Sequence, residues 1–260
     1  MAIENKNKFA VITGGSSGIG LALAKHCLEH GFDVLICAEN DEVMQIAKTL
    51  PGNADAFKAD LSMFDGCEQL ASHVRDRGRP VDALMLNAGV GLGHAVIDQK
   101  LEDELAMIAL NCNHTVHVAR RLVPAMVERG AGRVLITGSV VSTSPNPYQA
   151  VYAATKAFVM SFGEALRVEV ADSGVTVTVL QPGATDTNFF RRGDLMDTKV
   201  GKAEKDDPAL VARRGFDAMM AGKDSVLGGG FKSRLEGVMN ELLPESFKAK
   251  QAAKQTKPQG

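Results

Sequence analysis

The sequence predicts an α/β fold, a doubly wound, mostly parallel sheet of about seven strands flanked by helices. Three observations lead there. Short apolar runs alternate with longer stretches at helical spacing along most of the chain. The first run passes through a glycine-rich turn straight into a helix. The chemically marked residues fall just after the apolar runs, at the strand ends where open α/β sheets bind ligands.

Lys8–Thr13 (KFAVIT) is apolar in the manner of a strand buried on both faces. It enters Thr13-Gly14-Gly15-Ser16-Ser17-Gly18-Ile19-Gly20. Leu21, Ala24, Cys27 and Leu28 then recur at helical spacing as far as a stop at His30-Gly31. Glycines let a backbone approach a pyrophosphate, and a helix N-terminus offers free N–H groups and partial positive charge. The spacing is Gly-x-x-x-Gly-x-Gly rather than Gly-x-Gly-x-x-Gly. A generic glycine turn is the alternative. Residues 33–38 (DVLICA) form a second strand, and Glu39 follows it. It stands about 20 positions past the glycines, where an acidic side chain bonds ribose hydroxyls and repels a 2′-phosphate. The alternative is a solvated loop carboxylate.

A helix over 41–50 leads to a third strand over 54–59, which ends in Asp60-Leu61-Ser62. A helix over 63–77 is broken by Gly78-Arg79-Pro80. The fourth strand, 81–86, ends in Asn87-Ala88-Gly89. A long helical stretch over 102–129 contains Asn111 and Pro124, and the proline predicts a kink or a bent late turn. The fifth strand, 133–137, runs into Gly138-Ser139. The helix over 148–172 carries Tyr152 and Lys156 one turn apart, so both side chains share a face. A nearby ammonium lowers a phenol's pKa from about 10 toward the range useful for acid–base work. The sixth strand, Val175–Gln181, precedes Pro182-Gly183.

Beyond Gly183 the pattern loosens. Residues 185–222 read as a substrate lid, with Asp207-Pro208 starting a helix to Met220. A last strand is expected within 225–230 and an amphipathic helix over 231–248. The lysine- and glutamine-rich tail, 248–260, is expected to be flexible. Residues 1–260 read as one domain without internal repeats.

The net charge of −2 gives no basic footprint for nucleic acid. Cys27, Cys37, Cys67 and Cys112 are widely spaced and read as reduced thiols of a cytoplasmic protein. The six histidines show no metal spacing, and His114 and His117, three apart, lack an acidic or cysteine partner in their turn, so no metal site is expected. No secretory signal and no apolar run long enough for a membrane span is visible. The helix over 231–248 is expected to pack on its own subunit or a partner; its lysines beside an apolar face are also the pattern of membrane-surface attachment.

Over roughly residues 8–187 the chain resembles the short-chain dehydrogenase/reductase family of the standard single-domain, Rossmann-like type. The residues that carry the resemblance are the glycine turn, Asp60-Leu61, Asn87-Ala88-Gly89, Asn111, Ser139, Tyr152-x-x-x-Lys156, and Pro182-Gly183 followed by Thr187. The resemblance implies roles. Tyr152 is the acid or base for the substrate oxygen, and Lys156 lowers its pKa and bonds the nicotinamide ribose. Ser139 holds the substrate oxygen. Asn111 fixes a helix irregularity and a water that relays protons. Gly14, Ser16, Ser17, Gly18, Ile19 and Gly20 hold the pyrophosphate. Asp60 and Leu61 hold the adenine, and Asn87, Ala88 and Gly89 the adenosine side. Pro182, Gly183, Thr185 and Thr187 flank the nicotinamide. Ser17 and Glu39-Asn40 stand where NADP users carry basic residues, which favours NAD over NADP. The NAD marker of the family, an aspartate, is replaced by Ala38. The segment Val226-Leu227-Gly228-Gly229-Gly230 departs from the family's Val-Asp-Gly-Gly turn, so the subunit arrangement, dimer or tetramer, stays open.

The expected activity is therefore hydride transfer between a nicotinamide and a ketone or secondary alcohol. Phe189, Phe190, Met196, Val141 and Val90 would line an apolar substrate pocket. Two other readings are a dinucleotide-binding sensor that does no chemistry and a sugar-nucleotide epimerase or dehydratase. Retention of Asn111 and Ser139 with Tyr152 and Lys156 weighs against the first, and the glycine spacing with the short C-terminal part against the second.

Overall fold

The structure, a computed structural model, describes residues 8–229 and 245–259. The strands are β1 Lys8–Thr13, β2 Phe32–Ala38, β3 Ala54–Lys58, β4 Ala83–Leu86, β5 Gly132–Thr137, β6 Val175–Gln181 and β7 Ser225–Leu227. They form a seven-stranded sheet in the order β3-β2-β1-β4-β5-β6-β7, with every pairing parallel. Parallel neighbours need crossovers, and here helices supply them. Helices on both faces bury the strands from both sides, which is why the strand segments are apolar almost throughout. Every residue of β2 is buried. Along β1, Phe9 and Val11 join one core while Ala10 and Ile12 join the other, as a period of two requires.

On one face lie α1 Gly18–Glu29, α2 Glu42–Thr49 and α9 Pro208–Met220, which bury Leu23, Val43 and Phe216 against the sheet. On the other face α3 Phe64–Asp76, α5 His114–Arg129 and α6 Ala150–Glu169 bury Leu70, Leu122 and Val159. The chain winds outward from β1 to β3 and then crosses back to place β4 on the other side of β1. The connections leave β1 and β4 in opposite directions, which opens a crevice at their C-terminal ends.

The structure changes several expectations. The stretch over 102–129 is not one α-helix. It comprises α4 Leu101–Ile108, a π-helical turn Ala109–Asn113 and α5. Pro124 lies inside α5, which continues past it to Arg129 and ends at Gly130, at φ 74°. Helix α6 starts at Ala150 rather than 148, because Tyr148 holds a left-handed φ of 63°. Strand ends shift by a residue or two; β4, for instance, begins at Ala83. The segment 185–222 contains the short helices α7 Phe189–Arg192 and α8 Lys199–Lys202 before α9. As expected, Pro208 occupies the first turn of α9, and the Asp207 carboxylate accepts from the Ala209 N–H at 2.8 Å. Much of the tail expected to be flexible is helical, in α10 Glu245–Thr256. There the Thr256 hydroxyl is buried and donates to the Pro147 carbonyl at 2.7 Å. The amphipathic helix expected over 231–248 falls mostly outside the described residues. Among those described, no helix is long and apolar enough to cross a membrane.

Candidate active site

The crevice holds a cleft of about 270 Å³. One end is built by the turn after β1. The Gly14 N–H donates to the Cys37 carbonyl at 2.8 Å, which folds the turn over the end of β2. Gly14 and Gly18 sit at φ 68° and 53°, a region that costs other residues free energy. Space forbids side chains here as well. A Cβ on Gly14 would stand 2.9 Å from Ala88 Cα, and one on Gly18 would stand 2.9 Å from Thr187 Cγ2. Gly14, Ser16, Ser17, Gly18 and Ile19 line the cleft. No side chain caps the start of α1, so the N–H groups of its first turn are left to an anion or solvent. Gly20 does not line the cleft; a Cβ there would overlap the Gly14 carbonyl oxygen, so it sets how closely the turn packs on its own helix.

Glu39 and Asn40 follow β2 on the cleft wall. Glu39 is exposed, while the Asn40 side-chain oxygen is buried without a hydrogen-bond partner. Leu61 lines the cleft, but Asp60 does not. The Asp60 carboxylate instead accepts from the Ser62 N–H at 2.9 Å and the Ser62 hydroxyl at 2.7 Å in a local turn. Asn87 ties three strand ends together. Its Nδ2 donates to the Thr13 carbonyl at 3.2 Å, and its Oδ1 accepts from the Thr137 hydroxyl at 3.1 Å. Thr13 Oγ1 in turn accepts from the Asn87 and Ala88 N–H groups at 2.9 and 3.1 Å. Ala88 and Gly89 line the cleft beside it.

Of the four residues expected to be catalytic, Ser139, Tyr152 and Lys156 line the other end of the cleft and Asn111 does not. Ser139 caps the short turn Val140–Thr143: its Oγ accepts from the Val141 N–H at 3.3 Å, and its own N–H donates to Ser142 Oγ at 3.2 Å. Tyr152 and Lys156 are both buried on the inner face of α6. Lys156 Nζ donates to the Thr137 carbonyl at 2.9 Å and lies 5.8 Å from the centre of the Tyr152 ring. Asn111 sits in the π-helical turn and makes three bonds of 2.9 Å. Its Oδ1 accepts from Val90 N–H, and its Nδ2 donates to the Val90 carbonyl and to Thr155 Oγ1. Asn111 thus clamps the loop after β4 to α6, next to Gly89, where a Cβ would come within 3.0 Å of its Oδ1 and 3.4 Å of Lys156 Nζ.

The electrostatics differ from the expectation of a lowered phenol pKa. Burial pushes the Tyr152 phenol up to about 12, and the Ser139 hydroxyl bonded to it pulls the other way. Burial pushes the Lys156 ammonium down to about 8, opposed by Cys112. The sequence places Lys156 beside Tyr152, but the fold aims its ammonium at Thr137, so desolvation outweighs charge.

Pro182, Gly183, Thr185 and Thr187 line the far wall. Phe189 follows, its ring 5.2 Å from that of Tyr152 and tilted by 55°. Val90, Val141 and Phe190 also border the cleft, whereas Met196 does not. Gly91, Gln149 and Arg192 line the cleft too and were not anticipated. Only Gly91 carried a usable signal: a Cβ there would strike the Phe189 ring. The segment after β6 is tied to the loop after β4 by a bond of 2.7 Å from the Gly93 N–H to the Gly193 carbonyl, and by His94 Nε2 at 3.0 Å from Asp194 Oδ2. The left-handed Gly14 and Gly18, the uncapped start of α1 and the orphaned Asn40 oxygen fit a dinucleotide.

Comparison with known proteins agrees with this geometry. The family model described as short chain dehydrogenase matches residues 8–196. An uncharacterized oxidoreductase of Staphylococcus epidermidis is 31% identical over 207 residues, covering 79% of this chain and 90% of the relative. A short-chain dehydrogenase from Sphingobium yanoikuyae, solved in complex with NADPH, is similar in fold at TM-score 0.80 and 24% identity, over 91% of this chain and 96% of that one. A 3-ketoacyl-(acyl-carrier-protein) reductase from Brucella melitensis, complexed with NADH, aligns at TM-score 0.75 and 25% identity, over 85% of this chain and 97% of that one.

Proposed function

The chain belongs to the short-chain dehydrogenase/reductase family, and from that premise we propose that it is an NAD(P)-dependent oxidoreductase acting on a ketone or secondary alcohol of an apolar small molecule. One observation carries the reading: Ser139, Tyr152 and Lys156 converge at one end of a cleft whose other end is a glycine-rich turn, with Gly14 and Gly18 at positive φ, at a helix N-terminus. A bound nicotinamide supplies or accepts the hydride. The protein handles the proton. In reduction, the neutral phenol of Tyr152 gives its proton to the carbonyl oxygen as that oxygen gains charge. In oxidation the phenolate takes the alcohol proton back. Ser139 Oγ donates a second bond to the same oxygen and holds it in register. Lys156, its ammonium held on the Thr137 carbonyl 5.8 Å from the centre of the Tyr152 ring, would bond the nicotinamide ribose. Asn111 is a positioning residue, which fixes the π-helical turn and Val90 beside Lys156 and supports a proton relay. Val90, Val141, Phe189 and Phe190 give the substrate end its apolar walls.

For the cofactor we favour NAD, because Glu39 stands on the cleft wall where a 2′-phosphate would lie. Dimer or tetramer formation is supported by the exposed Leu101, Leu105 and Phe158 on α4 and α6. Two variants test the reading in one assay of ketones and alcohols with NADH and NADPH. Tyr152→Phe is expected to keep cofactor binding while turnover falls about 10²–10⁴-fold, the usual worth of a positioned acid. Turnover near that of the parent would overturn the mechanism. Glu39→Arg is expected to shift preference toward NADPH, and an unchanged ratio would remove Glu39 from ribose recognition.

A further inference from the structure

Helix α1 begins at the glycine turn and ends in a cluster that the cleft does not use. His26, Glu29 and His30 lie within one turn at its C-terminal end, with a donor atom of each within 4.8 Å of the others. We propose that His26, Glu29 and His30 form a binding site for a divalent metal of the zinc class. Two imidazoles and a carboxylate are a donor set that suits zinc, with a further position left to water.

The His26 and Glu29 donors already stand at ligand spacing. His26 Nδ1 stands 3.4 Å from Glu29 Oε2. Adjacent ligands of a tetrahedral zinc, bound at about 2.0–2.1 Å, are about 3.3 Å apart. His30 Nδ1 faces the His26 carbonyl oxygen at 2.8 Å. A carbonyl only accepts, so Nδ1 carries the proton and Nε2 keeps its lone pair. Metal-bound histidines are commonly oriented in this way, by a second-shell bond from the other ring nitrogen. The two imidazole rings lie 4.2 Å apart, and the His26 ring stands edge-on to Phe216 of α9 at 4.9 Å and 83°. Glu29 and His30 are exposed, so an ion reaches them from solvent. The six histidines show no metal spacing in the sequence, and the His26-Glu29-His30 cluster runs against that expectation. In the fold, His114 bonds to the Leu110 carbonyl and His117 to Glu68.

The test is calorimetric titration of tag-free, chelator-treated protein with zinc sulfate, with thermal melts alongside. Wild type is expected to bind one zinc per chain and to melt higher with zinc. His30→Gln and Glu29→Gln change exposed side chains, so folding is not at stake. Each is expected to weaken zinc binding by more than about tenfold, since even a partner outside the ligand set is worth that much. Each is also expected to lose the zinc-dependent rise in melting while keeping wild-type turnover. No saturable zinc binding in wild type overturns the proposal and leaves His26 and Glu29 as a simple ion pair. Equal binding by wild type and His30→Gln overturns it as well, by placing the zinc elsewhere, such as on a cysteine thiol.

Discussion

Lys156 carries a charge that the fold is costly to house. It is buried, and its ammonium donates to the Thr137 carbonyl. Burial lowers its pKa from the usual 10.5 to about 8. Between those two values the unfolded chain holds a proton that the folded chain has released, so stability rises with pH across that window. Below it the native state carries a buried ammonium. Lys156→Met is therefore expected to melt higher than wild type at pH 7, and the gap is expected to narrow as pH rises from about 8 to 10.5. Turnover is lost in the same variant. Calorimetric melts across that pH range check the prediction, and a variant less stable than wild type at pH 7 contradicts it. The residue pair was legible in the sequence because one helical turn puts Tyr152 and Lys156 on one face. The direction of the ammonium was not, because its acceptor, Thr137, lies at the end of a strand that the helix meets only in the folded sheet.

At the scale of elements, the irregularity between α4 and α5 positions the site. The π-helical turn Ala109–Asn113 carries Asn111 inward, where it satisfies both backbone groups of Val90 and the hydroxyl of Thr155. Thr155 Oγ1 also donates to the Tyr152 carbonyl at 2.7 Å, so the clamp extends into the turn of α6 that bears the phenol. Asn111→Ala leaves these buried groups without partners, at about 1–3 kcal/mol. For a chain of this size that lowers the melting midpoint by about 2–12 °C. Turnover is expected to fall further than binding of the dinucleotide, because the clamp sits at the catalytic end. A melt unchanged from wild type would show that water replaces the amide. The sequence pattern gave a single long helix here, since one extra residue in a turn barely disturbs apolar spacing. The helices α7 and α8 were illegible for a different reason: each is four residues long, shorter than any window in which periodicity can be read.

At the scale of the molecule, the alternation of strands and helices was enough to predict the sheet, because a strand buried on both faces and a helix buried on one leave different patterns. The C-terminal part was hidden for the opposite reason. Its composition, rich in lysine and glutamine, reads as solvated, and its order comes from contacts distant in sequence. Helix α10 packs against α8 of the lid. Beyond it, the Gln259 N–H donates to the Asp197 carbonyl at 3.2 Å, and Lys202 Nζ donates to Gln259 Oε1 at 3.1 Å. The Thr256 bond to Pro147 reaches the loop just before Gln149, which lines the cleft. The tail thus ties α8 and Asp197 to the loop before Gln149, which lies at the Tyr152 end of the cleft rather than at the glycine turn. A chain ending at residue 244 is expected to bind the dinucleotide as the full chain does. Its KM for the carbonyl substrate is expected to rise on the order of tenfold, since small misplacements of positioning elements have effects of that size or more. Steady-state kinetics beside cofactor titration separate the two effects. A parallel loss of cofactor affinity would mean that the tail supports the whole sheet edge rather than the lid, and an unchanged KM would mean that α10 is a passenger on the surface.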